Sequence, residues 1–182
     1  MTMYGVPKPA YRGLELIAST TGNNQSAAIV LGGASARQYT NAAGAVVGAT
    51  DGTVDVCVTT SGSPTNMQVT ALISNYNISS GLPPAPQNVT LTFFAFAGAV
   101  WPNTATLVVI DTNHSNPLSV WVASGSPTYP APTEIADELA ASQLSSQTIP
   151  LVPAGPESYA ATVTLSAPYA LARLTFGIQS NR

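Results

Sequence analysis

Thr53-Val54-Asp55-Val56-Cys57-Val58-Thr59-Thr60 sets valine at every second position, a period that suits an extended chain and not a helix. Side chains alternate between the two faces of a strand, so Val54, Val56 and Val58 turn one way and Asp55, Cys57 and Thr59 the other. The same period recurs downstream. Met67, Val69, Ala71 and Ile73 share a face, as do Val89, Leu91, Phe93 and Ala95. Phe94 and Phe96 add apolar bulk to the reverse side of that last segment, which predicts a central strand.

Working outward, Ala27 to Leu31, Val46-Val47, Thr104 to Asp111, Leu118 to Ala123, Ser158 to Ser166 and Tyr169 to Phe176 also read as strands. Turn-rich breaks separate them at Gly62-Ser63-Pro64, Gly81 to Pro86, Ser124 to Pro132 and Pro153 to Pro156. Asp51-Gly52 reads as a hairpin turn between Val46-Val47 and the Val54 strand, and Gly32-Gly33-Ala34-Ser35 as another turn. Roughly nine strands at this spacing predict an all-β antiparallel sandwich. Two helices accompany it. Pro9 suits a first helical turn, after which Ala10, Tyr11, Leu14, Ile17 and Ala18 fall on one face. Residues 132–142 form the second, with Thr133 as cap, Glu134 at the positive N-terminus, and Ile135 and Leu139 four apart. The chain reads as one domain, with residues 1–20 as an N-terminal segment and helix and 26–182 as the sandwich.

Composition narrows the function. Charged residues are 7% of the 182, against about 25% in ordinary soluble domains, so Ser, Thr, Asn and Gln must wet the surface. A net charge of -3 with no basic cluster disfavours nucleic acid and anionic membranes. No apolar run reaches the ~18 residues of a membrane span. The opening residues lack the apolar core of a signal peptide, which predicts a cytoplasmic or unconventionally exported protein. The glycosylation sequons at Asn77, Asn88 and Asn113 then read as chance matches. Cys57, the single cysteine, forms no internal disulfide and reads as a packed thiol with no cationic neighbour to activate it.

The acids are Glu15, Asp51, Asp55, Asp111, Glu134, Asp137, Glu138 and Glu157. Asp51 reads as a turn residue, and Glu134, Asp137 and Glu138 as a solvated helix face. His114 is the single histidine, and with Asp111 it invites a triad reading. Base and orienter within one turn make awkward geometry, and no Gly-x-Ser-x-Gly elbow is present. Asp111, His114 and Asn116 instead read as a polar turn bonding its own backbone beside Trp121, itself expected in the core. One histidine and one distant cysteine predict no metal site, and no cofactor motif occurs. The remaining clue is aromatic residues in loops: Trp101-Pro102-Asn103 and Tyr129-Pro130 suit the ring faces and polar edge that a sugar needs, while Trp101 reads equally well as a ring folded over the end of the core.

Val109-Ile110-Asp111-Thr112-Asn113-His114-Ser115-Asn116-Pro117, followed by Trp121 and Gly125-Ser126-Pro127-Thr128-Tyr129-Pro130-Ala131-Pro132, resembles the C-terminal β-sandwich region of glycoside hydrolase family 39, the β-xylosidase and α-L-iduronidase family. Gly5-Val6-Pro7-Lys8-Pro9-Ala10-Tyr11 resembles the segment that opens the last helix of that family's catalytic barrel. Ala49-Thr50-Asp51-Gly52 and Leu72-Ile73-Ser74-Asn75-Tyr76 resemble its sandwich strands. In the family both catalytic glutamates sit on barrel strands, which have no counterpart in these residues, so the resemblance implies a non-catalytic module. A sandwich parted from a barrel exposes a contact face. Tyr11, Leu14 and Ile17 are therefore expected in a homo-oligomer interface. The function that follows is a lectin-like, carbohydrate-binding protein whose partner is a glycan. The alternatives are an interaction protein with no sugar site and a piece of a family 39 glycosidase.

Overall fold

A computed structural model describes residues 5–20, 23–25, 28–31, 36–40, 46–50, 54–63, 65–75, 86–94, 98–166 and 169–180. The elements run α1 (Pro9–Ala18), β1 (Asn23–Gln25), β2 (Ala28–Leu31), β3 (Ala36–Thr40), β4 (Val46–Thr50), β5 (Val54–Ser63), β6 (Asn66–Asn75), β7 (Gln87–Phe94) and β8 (Ala99–Val100). They continue as β9 (Thr104–Ile110), α2 (Leu118–Ala123), α3 (Pro132–Ala141), β10 (Ser146–Pro150), β11 (Val152–Gly155), β12 (Ser158–Leu165) and β13 (Ala170–Ser180).

β3 and β4 pair with each other as a separate two-stranded sheet, and the other eleven strands form two antiparallel sheets, as the alternation predicts. One runs β1-β5-β6-β13-β9-β10, with β8 beside the end of β13; the other runs β11-β12-β7-β2. Their inner faces share one core, in which Val54, Val56, Val58, Ile73 and Leu174 meet Val89, Leu91, Val163 and Leu165. Phe93 of one sheet meets Phe176 of the other edge-on, with ring centroids 4.8 Å apart. The β5–β6 hairpin turns where the break at Gly62-Ser63-Pro64 was expected. Gly62 stands at φ 98°, and a Cβ there would collide with the Asn66 carbonyl oxygen, so the turn requires glycine. Ser63 Oγ accepts the Asn66 N–H at 3.2 Å and closes it.

A second apolar cluster lies on the other face of the larger sheet. Leu16 of α1, fully buried, packs on Val108 and Ile110 of β9, with Leu72, Leu144 and Leu171 around them. A Cβ on Gly13 would sit 3.6 Å from Leu171, so a small residue there lets the helix lie close. In the first turn of α1, Arg12 Nε donates to the Ser142 carbonyl at 2.7 Å.

Several expectations are corrected. Leu118–Ala123 is a helix, not a strand. Its Val and Trp content favours β structure, but Asn116 Oδ1 accepts the Leu118 N–H at 3.0 Å and Pro117 fixes the entry. Trp121 is therefore a half-buried helical residue, and its indole N–H donates to the Pro127 carbonyl at 3.2 Å. The helix at 132–142 starts from Ala131, not Thr133, because Pro132 takes the first turn and Glu134 Oε2 accepts the Ala131 N–H at 2.6 Å. β7 is an inner strand as expected, between β12 and β2, and its outer face is open, with Phe94 68% exposed. Cys57 is exposed: it points away from the core face of Val56 and Val58, and that outer face is open at its position. β4 pairs with β3, and β5 with β1 and β6, so the strands flanking Asp51-Gly52 do not form a hairpin with each other. Asp51-Gly52 and Gly32–Ser35 themselves lie outside the described residues.

Candidate functional site

The short β8 and the loop after it carry Trp101 across one end of the sandwich. Its indole stacks on Tyr159 of β12, with centroids 4.8 Å apart and planes 17° from parallel, and lies 6.0 Å from the Phe176 ring. The ring thus caps the core and keeps an accessible edge. Beside it opens a cavity of about 270 Å³, lined by Trp101, Tyr159, Pro153, Gly155 and Glu157. Glu157 sits in the β11–β12 turn at φ 59°, a conformation uncommon outside glycine, and is the one carboxylate of the described residues that lines this cavity. Two aromatic rings with a carboxylate at the rim offer apolar area and hydrogen-bond acceptors to a polyhydroxylated ligand.

Asn103 lies at the same end, where its carbonyl accepts the Leu151 N–H at 2.9 Å and its side chain is exposed. Tyr129 does not join them. It follows the far end of β9, about 20 Å along the strand, and is 82% exposed between α2 and α3. Tyr159 was not singled out from sequence. It is a strand residue whose partner lies 58 positions away, and only the pairing of the sheets brings the two rings together.

Asp111, His114 and Asn116 build the turn after β9. Asp111 Oδ1 accepts the backbone N–H groups of Asn113 at 2.7 Å and His114 at 2.8 Å, and lies 2.8 Å from His114 Nδ1. The Asp–His contact within one turn, which spacing alone makes awkward, does form. Ser115 adopts φ 54° to allow it and donates its hydroxyl to the Val109 carbonyl at 3.2 Å. Asp111 is buried and His114 exposed, so the carboxylate serves the loop backbone first.

Glu138 does not belong to a solvated face. It is 7% exposed, and its Oε1 is enclosed with no hydrogen-bond partner among the described residues, while Leu139 beside it is exposed. Tyr11, Leu14 and Ile17 are exposed on α1, Leu14 by 67%, because the helix docks through the opposite edge at Leu16. Among the described residues no group of His, Cys, Asp and Glu gathers where it could hold a metal ion, and no helix is long and apolar enough to cross a membrane.

No family model and no curated protein matches this chain. Solved structures do. A GH39 enzyme from Xanthomonas axonopodis pv. citri matches with a TM-score of 0.51 and 16% identity, over 97% of this chain and 31% of the enzyme. A monomeric beta-xylosidase from Caulobacter crescentus CB15 matches with a TM-score of 0.51 and 13% identity, over 100% of this chain and 32% of the enzyme. The chain thus spans about a third of each enzyme's length, and at these identities the likeness is one of fold. The resemblance carried by the Asp111-to-Pro132 block therefore has a structural counterpart: this chain has the fold of a region of family 39 enzymes.

Proposed function

We propose that this chain is a non-catalytic carbohydrate-binding protein that acts as a homo-oligomer, with the Trp101–Tyr159 cavity as its sugar site. The observation that carries the reading is the stacked ring pair beside an open cavity at the sandwich end. Hydrolysis needs two facing carboxyl groups, about 5 Å apart for retention or about 6.5–9.5 Å for inversion. Glu157 has no carboxylate companion at this cavity among the described residues. Asp111 serves its turn, Glu134 closes the start of α3, and Glu15 pairs with Arg12 at 2.7 Å.

Oligomerisation supports the same reading. Tyr11, Leu14 and Ile17 offer an apolar strip on α1, and a chain with so few charges has little to repolarise it. A millimolar sugar site is worth about -4 kcal/mol, and several sites on one particle gain about 10²–10⁴ in avidity. Erythrocyte agglutination with sugar inhibition, run beside light scattering on a sizing column, tests both halves. The reading expects inhibitable agglutination by a particle larger than one chain. A monomer at micromolar concentration removes the oligomer, and absence of agglutination by a confirmed oligomer removes the lectin.

An interaction protein with no sugar site is the second reading. It is favoured by the exposed apolar residues Leu118, Val122 and Tyr129 around α2, at the end of β9 away from Trp101.

A further inference from the structure

The outer face of the larger sheet holds a second cavity, also about 270 Å³, beneath the end of α1. Its floor follows from strand register. Thr70 of β6, Thr175 of β13 and Thr106 of β9 stand directly opposite one another, so their hydroxyls share one face in a row across three strands. Arg173 projects from the same face of β13 one step along, and Gln68 and Ser19 complete the polar lining.

Hydroxyl and amide groups accept either sign of ligand; Arg173 decides it. A guanidinium carries five N–H donors and remains charged at any ordinary pH. Nη1 donates to Ser19 Oγ, which itself donates to the Leu16 carbonyl at 2.8 Å, so one nitrogen tethers the helix end. Nε is enclosed with no acceptor, and no carboxylate whose side chain is described lies within ion-pair distance. A cation set into an inner strand of the sheet, among neutral hydroxyls and short of acceptors, is an incomplete arrangement.

We propose that this cavity binds a small oxyanion, a carboxylate or sulfate group, against the Arg173 guanidinium and the Thr70, Thr106 and Thr175 hydroxyls. The planar guanidinium matches the paired oxygens of such groups, and hydroxyl donors satisfy the remaining lone pairs. The site is separate from the Trp101 cavity, which lies over the core at the sandwich end. The group could arrive on an acidic sugar or as a free ion.

The test is a two-dimensional amide NMR titration of the full chain with sodium glucuronate, acetate and sulfate at constant ionic strength, with glucose as the neutral control. Saturable shifts at residues 173–175 are expected for at least one anion and none for glucose. Glucuronate alone would identify an acidic sugar, whereas all three anions would identify a general oxyanion site. Arg173→Gln should weaken binding by about tenfold or more, the scale of one charged hydrogen bond. Trp101→Ala should leave the anion affinity unchanged, which separates this site from the proposed sugar cavity. Thr106→Val keeps the shape and removes one hydroxyl at the rim, for an expected loss of about threefold, and carries the comparison if Arg173→Gln does not fold. No saturable shift with any anion, or unchanged affinity in folded Arg173→Gln or Thr106→Val, overturns the proposal.

Discussion

The two faces of the seven-stranded sheet come from the same strands, residue by residue, and are built by different rules. The inner face is largely apolar: Val54, Val56, Val58, Ile73, Leu174 and Phe176 meet the opposing sheet and leave almost nothing to solvent, with Asn75 the buried polar residue at the end of β6. The outer face divides. Leu72, Leu171, Val108 and Ile110 form an apolar strip that α1 covers through Leu16, and the threonine row with Arg173 lies beside it. On this face the apolar residues mark where α1 packs, and an exposed hydroxyl such as that of Thr106 marks where water is admitted, while Thr59 and Thr70 are buried between neighbours. This is how a chain with 7% charged residues stays wetted. Thr90 and Thr162, whose hydroxyls lie 3.0 Å apart on the other sheet, repeat the device.

Mutation separates the faces in order of effect. Leu174→Ala opens a hole in the fully buried inner face and should cost about 3–4 kcal/mol in denaturant unfolding. Leu16→Ala removes the one wholly buried contact of α1 and should cost about 2 kcal/mol, with amide exchange rising first across Pro9–Ala18. A loss at Leu16 equal to that at Leu174 would show the covered strip and the inner core to be one unit. Leu14→Glu, on the exposed side of the same helix, should shift stability by less than about 1 kcal/mol while shrinking the particle seen by light scattering. Thr106→Val should fall within about 0.5 kcal/mol of the parent, since its side chain faces water. A larger change would mean that the open half of the face is as tightly packed as the covered half.

Alternation made most of the sandwich legible: β5, β6, β7, β9, β12 and β13 all stand where period two places them. β10 was not read, because Ser146-Gln147-Thr148 is a polar, exposed edge with no apolar face to betray it. α2 was misread because Leu-Ser-Val-Trp-Val-Ala is too short to display a helical period, while Asn116-Pro117, the signal that decides it, belongs to the preceding turn. For α1 the apolar face read from spacing is the exposed one. Leu16 docks instead, packing on Val108 and Ile110, while Gly13, one turn earlier, faces Leu171. The sites were less legible than the fold. Trp101 was visible as a loop aromatic, but Tyr159 and Arg173 acquire their roles from partners 58 and 154 positions away.

A glycan array probed with the parent protein and Trp101→Ala side by side tests the central claim most directly, with circular dichroism confirming that both are folded. The proposed site predicts that the parent binds at least one class of glycan and that the variant loses about tenfold or more on the same spots, the affinity equivalent of about 1.4 kcal/mol. A parent that binds no glycan, or a folded variant that binds as well as the parent, would contradict it.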